Sequence, residues 1–98
     1  MAEKLTIEEF QTLIKNRYYP TDSSRGLAKT YLWLAEEQGE LAQALGRFEA
    51  GNPDMENLAE EFADVLAWLT TLANITGVDL TQAIHDKYIK DGGPEGTK

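Results

Sequence analysis

Glu37 and Glu40, and again Glu61 and Asp64, are carboxylates standing where a helix would carry apolar side chains. With about 100° per residue and Glu37 as zero, Leu34, Leu41, Ala44 and Phe48 fall within about 60° of it and Glu40 at about −60°. Centred on Glu61, the residues Leu58, Val65, Trp68 and Leu72 fall within about 60°, with Asp64 again at about −60°. The letters repeat with the geometry, since Leu34-Ala35-Glu36-Glu37 is matched by Leu58-Ala59-Glu60-Glu61 and Glu40-Leu41 by Asp64-Val65. Glutamate-rich helices ordinarily show their acids to solvent, but these acids lie on the face that packs.

Two such helices packed antiparallel bring four acids into one small space. Four carboxylates in poorly hydrated surroundings cannot all stay ionised, because like charge and lost hydration both raise pKa. Protons or a cation must compensate, and no basic residue lies on the same stripe. An all-oxygen donor set favours a hard ion, magnesium first and manganese as its substitute. Such an ion neutralises charge on phosphate oxygens and acidifies water, so phosphate hydrolysis needs no histidine or cysteine nucleophile.

The elements that would position these acids can be read from caps and breakers. Thr6 and Glu9 form a capping box, with Leu5 and Phe10 as its hydrophobic staple, and predict a first helix over residues 7–17. Tyr19-Pro20-Thr21-Asp22-Ser23-Ser24 reads as a loop. Residues 24–50 hold no proline and carry apolar residues at helical spacing, with Gly51 as the terminating cap. Asn52 as N-cap and Pro53 at the first helical position start a third helix over residues 53–76, which Gly77 ends. Asp79 and Gln82 make a second capping-box pair for a last helix reaching Lys90, after which the Gly-rich residues 91–98 form a mobile tail. No segment alternates like a half-buried strand, so the fold class is all-α, a helical bundle centred on two long helices.

Composition narrows the function classes. A chain of 98 residues with 42% hydrophobic content suits one domain spanning residues 1–98. Its small size leaves much surface uncovered, so oligomerisation would help it. Without cysteine there is neither a disulfide framework nor a thiolate zinc site, and the chain reads as intracellular. Residues 1–10 lack the pattern of a signal peptide, and no stretch approaches the roughly 20 apolar residues of a membrane span, so the expected setting is cytoplasmic. Seventeen acidic against nine basic side chains, a net charge of −8, repel a nucleic-acid duplex. A protein this acidic that handles anionic nucleotides needs cations to mediate the contact.

Glu36-Glu37-x-x-Glu40 followed by Glu61-x-x-Asp64, with Leu41 and Val65-Leu66 directly after, resembles the E-E-x-x-E…E-x-x-D signature of the MazG-like nucleoside triphosphate pyrophosphohydrolases. The segment Leu72-Ala73-x-x-x-Gly77-x-Asp79-Leu80 is similar to that family's link into its last helix, and the resemblance covers residues 27–90. It implies a MazG-like bundle completed by homo-oligomerisation, as a homodimer or homotetramer. It also implies magnesium ions bridging acids to a nucleoside triphosphate, and water attack to give a monophosphate and pyrophosphate. On that resemblance Glu37, Glu40, Glu61 and Asp64 are the metal ligands. Glu36, at about −100° on the flank, would bind a further ion or orient the attacking water. Family members often end the last helix with lysine, asparagine and further basic residues; here Lys87 and Lys90 stand near those positions, but Asp91 takes the asparagine place and the tail adds only Lys98.

Trp68, within about 20° of Glu61, is placed either to stack on a nucleobase or to pack in the core. Trp33 carries the same choice, weighted toward core or subunit contact. Arg25 and Lys29 at the start of the second helix could reach phosphates, as could Lys87 and Lys90, while His85 reads as an ordinary surface or packing residue. Phe62, Leu66 and Leu69 widen the apolar arc of the third helix to about 140° from Glu61, more than one neighbour covers, which points to a homodimer or a dimer of dimers. Two rival readings remain. A di-metal carboxylate bundle would need Glu-x-x-His pairs, and His85 follows Gln82 instead; a non-enzymatic acidic interaction module would turn Glu37 and Glu61 to solvent.

Overall fold

The computed structural model describes residues 3–96. Helix α1 spans Ile7–Arg25, α2 Leu27–Glu49, α3 Met55–Thr76 and α4 Leu80–Ile84. The chain then continues through a π-helical turn, His85–Ile89, and a 3-10 turn, Lys90–Gly92. No strand occurs among the described residues, in keeping with the all-α class read from the sequence.

The capping box starts α1 as expected: Thr6 Oγ1 accepts the Glu9 N–H at 3.0 Å, and the Glu9 carboxylate accepts the Thr6 N–H at 2.8 Å. The helix does not stop at Arg17. It runs through Tyr19 and Pro20 to Arg25, so the loop expected over residues 19–24 is helical. A proline inside a helix removes one donor and crowds the carbonyl four residues back. The turn beyond it is held by tertiary burial instead, since Asp22 is only 4% exposed and Arg25 pairs with it at 2.6 Å. Local breaker chemistry loses to that packing.

Gly26 alone separates α1 from α2. Its φ of 89° and ψ of 169° is a conformation that a Cβ disfavours strongly, so α2 begins at Leu27 rather than Ser24. Four residues on, the fully buried Thr30 gives its hydroxyl proton to the Gly26 carbonyl at 2.6 Å and fastens the joint.

The α2–α3 connection follows from end chemistry. Asn52 N–H reaches the Arg47 carbonyl at 2.9 Å and Gly51 N–H the Phe48 carbonyl at 3.1 Å, the paired closure of a Schellman motif with Gly51 at φ 81°. The N-cap of α3 is Asp54, not Asn52, because the Asp54 carboxylate accepts the Asn57 N–H at 3.1 Å and Pro53 falls in the turn. Gly77, at φ 80°, ends α3 as the sequence indicates. Asp79 caps α4 through the Gln82 N–H at 3.1 Å, but the Gln82 side chain bonds Asp86 at 2.9 Å, so only half of the expected box forms. Of the tail, residues 91–96 are described, with Gly93 N–H bonded to the Lys90 carbonyl at 3.1 Å. Residues 97–98, Lys98 among them, lie outside the described residues.

α2 and α3 form an antiparallel hairpin and make the most extensive contact in the fold, with α1 laid mainly against α3. One side chain clamps α1 to the end of α3: Gln11 donates to the Val78 carbonyl at 2.7 Å and accepts the Leu80 N–H at 2.9 Å. The buried apolar set is small, comprising Ile14, Leu34, Ala44, Leu58 and Ala73. Large apolar side chains including Tyr31, Leu32, Phe62, Leu66 and Leu69 remain exposed. No helix among the described residues is long and apolar enough to cross a membrane.

Candidate metal centre

Each half of the hairpin turns acids inward one helical turn from a buried leucine. On α2, Leu34 is buried and Glu37 half-buried; on α3, Leu58 is buried and Glu61 is only 8% exposed. The antiparallel packing brings one carboxylate oxygen from each of Glu37, Glu61 and Asp64 within 4.8 Å of the others. Glu40 is exposed and lies outside the converging three, yet it acts on the proton affinities of both Glu37 and Glu61.

The crowding shows in the proton affinities. Burial, then the hydrogen bond to Glu40, then the charges of Glu40, Asp64 and Glu61 push the Glu37 carboxyl up to about 7. Glu61 is raised too, first by burial, then by the charge and hydrogen bond of Glu40 and the charges of Asp64 and Glu60.

Glu37 Oε2 and Glu61 Oε2 are both buried without a hydrogen-bond partner. Buried acceptors in native proteins are normally satisfied, and an unsatisfied one carries its full desolvation cost. A cation between the helices would satisfy both oxygens and relieve the repulsion that raises both carboxyls. The donors are all oxygen, which suits a hard divalent ion, and exposed Asp64 and Glu40 leave the site open on one side. The residues therefore fit a metal.

The other candidates read from the sequence lie outside this converging group. Glu36 is exposed on α2 beside Glu37 and outside the group of three converging acids. Trp68 is half-buried and stacks on Trp33, with ring centroids 6.2 Å apart and planes 12° off parallel. The Arg25 guanidinium lies over Trp68 while bonding Asp22 at 2.6 Å and Thr30 at 3.0 Å, so its charge is paired and its Nε and Nη2 are engaged within the protein. Lys29 is exposed in the first turn of α2, and Lys87 and Lys90 are exposed beyond α4.

Sequence reasoning missed Asp22, buried in a stretch read as loop, and Arg47. Arg47 lies about −80° from Glu37, just outside the stripe of about 60° that defined the acid face. With Gln43, Asp54 and Asn57 it lines a pocket of about 430 Å³ whose wall also includes Glu40 and Glu61. A slightly wider arc on the same wheel would have found it.

The MazG nucleotide pyrophosphohydrolase domain family matches residues 25–90, a span that holds all four acids. The chain belongs to the MazG family, whose activity class is nucleotide pyrophosphohydrolysis. A search of curated proteins found no match.

Proposed function

We propose that this protein is a magnesium-dependent nucleoside triphosphate pyrophosphohydrolase, converting a ribo- or deoxynucleoside triphosphate to its monophosphate and pyrophosphate. The observation that carries the reading is the pair of unpartnered buried oxygens, Glu37 Oε2 and Glu61 Oε2, on the two facing helices of the MazG domain. Glu37, Glu40, Glu61 and Asp64 hold the ions, with manganese as a working substitute. Bound magnesium supplies charge neutralisation at the phosphate oxygens and acidifies the attacking water. Glu36, exposed at the edge of the cluster, orients that water or takes its proton.

Water adds its oxygen to the α-phosphorus, the bond from that phosphorus to the bridging oxygen breaks, and the bridging oxygen leaves with pyrophosphate. The Trp33–Trp68 pair, one turn beyond Asp64, supplies the aromatic surface against which the nucleoside is positioned. In this reading the exposed Lys29, Lys87 and Lys90 supply positive charge to the incoming phosphates. The exposed apolar residues of α2 and α3 are covered in a homodimer or homotetramer, a cytoplasmic assembly in this reading.

The test is product analysis in oxygen-18 water with magnesium and a panel of nucleoside triphosphates. Label in the monophosphate supports attack at the α-phosphorus. Label in pyrophosphate would mean attack at the β-phosphorus, and orthophosphate as the primary product would sink the reading.

A further inference from the structure

The acid cluster has two unlike ends. Toward the start of α2 stand Trp33, Trp68 and Arg25, and there the guanidinium is neutralised by Asp22 at 2.6 Å. Toward the hairpin turn lies the pocket of about 430 Å³ lined by Glu40, Gln43, Arg47, Asp54, Asn57 and Glu61. Its volume falls in the roughly 300–1,000 Å³ range of small-ligand sites. It shares two walls, Glu40 and Glu61, with the candidate metal centre.

Arg47 differs from Arg25 in what holds it. Arg47 Nη1 donates to the neutral Asn57 Oδ1 at 3.2 Å, and among the described residues no carboxylate lies within ion-pairing distance of it. No ion pair therefore ties up its charge, and most of its five N–H donors remain available. It has one tether across the hairpin, the bond to Asn57. Asn57 belongs to the first turn of α3, where Asp54 caps its N–H at 3.1 Å, so the guanidinium is steered by a residue anchored to the neighbouring helix. Arg47 sits about 10 Å along the axis from Glu40, and helical side chains lean toward the N-terminus, here back toward the acids.

We propose that Arg47 binds the β- and γ-phosphates of the substrate and accepts the charge of the departing pyrophosphate, with Asn57 as its positioning residue. The inference rests on the pyrophosphohydrolase reading above and gives the substrate a direction, nucleoside toward Trp68 and terminal phosphates toward the hairpin turn. Glu40, Glu61 and Asp54 in the same wall would repel a bare polyphosphate, so the anion enters only between two cationic partners, the ions at the acids and the guanidinium opposite. A planar guanidinium suits this place because it pairs with phosphate through two parallel N–H bonds.

Inorganic pyrophosphate with magnesium is the direct probe, measured by calorimetry on the wild type, Arg47→Gln and Arg47→Lys. Loss of a charged hydrogen-bonding partner weakens binding roughly 10–100-fold in Arg47→Gln, with partial recovery in Arg47→Lys. In turnover, Arg47→Gln loses more kcat/KM on a nucleoside triphosphate than on the corresponding diphosphate, which lacks the γ-phosphate; a merely structural role would lower both alike. Equal pyrophosphate affinity in wild type and Arg47→Gln, or equal losses on the two substrates, overturns the assignment while leaving the hydrolase reading intact. Wild-type protein that neither hydrolyses triphosphates nor binds magnesium pyrophosphate overturns both. Asn57→Ala gives a second measure, since it leaves the guanidinium in place but unsteered and should raise KM for the triphosphate with helicity unchanged; an unaltered KM would strip Asn57 of its positioning role.

Discussion

The Arg25 guanidinium lies 4.9 Å from the centroid of the Trp68 ring while gripping the buried carboxylate of Asp22 at 2.6 Å. One side chain therefore joins the end of α1 to the middle of α3 and neutralises the only acid that α1 buries.

Arg25→Ala should strand Asp22 as an unpaired buried charge and cost about 3 kcal/mol of stability. Adding Asp22→Asn should return part of that loss, because the remaining group is then neutral. Urea melts of the two variants and the wild type check both steps, and equal stability of the single and double variants would mean the ion pair is not what holds this corner.

Glu61→Gln should keep the fold and lose activity by more than the roughly 10–100-fold typical of removing a group that only supports a metal ligand. Without magnesium the variant should be more stable than wild type, since it relieves the pressure that raises Glu61 and Glu37. Circular dichroism and steady-state rates give the comparison. Near-normal turnover would remove Glu61 from the site.

The metal-free protein should lose stability as pH rises from about 4.5 to about 7. The folded state holds the Glu37 proton up to about 7 whereas the unfolded chain releases it near 4.5, so within that window the folded state binds more protons and each rise in pH favours unfolding. Above it the Glu37 contribution levels off. Melting temperature followed across pH should show this fall with chelator present, and saturating magnesium should flatten it.

Magnesium binding at a pH just below 7 should also release protons, because the ion displaces the one retained by Glu37. Calorimetry in two buffers of different ionisation enthalpy reads the number directly. Release should shrink as the pH is raised above about 7, and binding without any proton release just below it would show that Glu37 is not a ligand.

The acid cluster was legible because a helix wheel converts residue number into direction, and two copies of one pattern place Glu37 and Glu61 on packing faces without any knowledge of the turn between them. The capping box at Thr6 and the cap at Gly77 were legible for the same reason, being set by residues at most one turn apart. What escaped depends on distant partners. Pro20 signals a break, and only the burial of Asp22 and its pairing with Arg25 show why α1 continues. Asn52-Pro53 and Asp54 are competing N-caps in neighbouring registers, and the Schellman closure of α2 onto Arg47 and Phe48 decides between them by taking up the turn residues first. Arg47 itself gains its meaning from Asn57, a partner on the other helix that no periodicity within α2 can reveal.

Gly26 turns α1 into a lever. Gly26 is the single non-helical residue between α1 and the hairpin, and Gln11 lies fifteen positions from it, about 22 Å along the helix axis. A rotation of about 10° at that pivot would carry Gln11 through about 4 Å, enough to break its bonds to Val78 and Leu80. The reverse holds as well. By pinning the far tip, Gln11 limits the pivot to a small angular error and so keeps Arg25, close to the fulcrum, aligned over Trp68. A residue that touches neither acid nor aromatic ring thereby governs the aim of one that does, by triangulation.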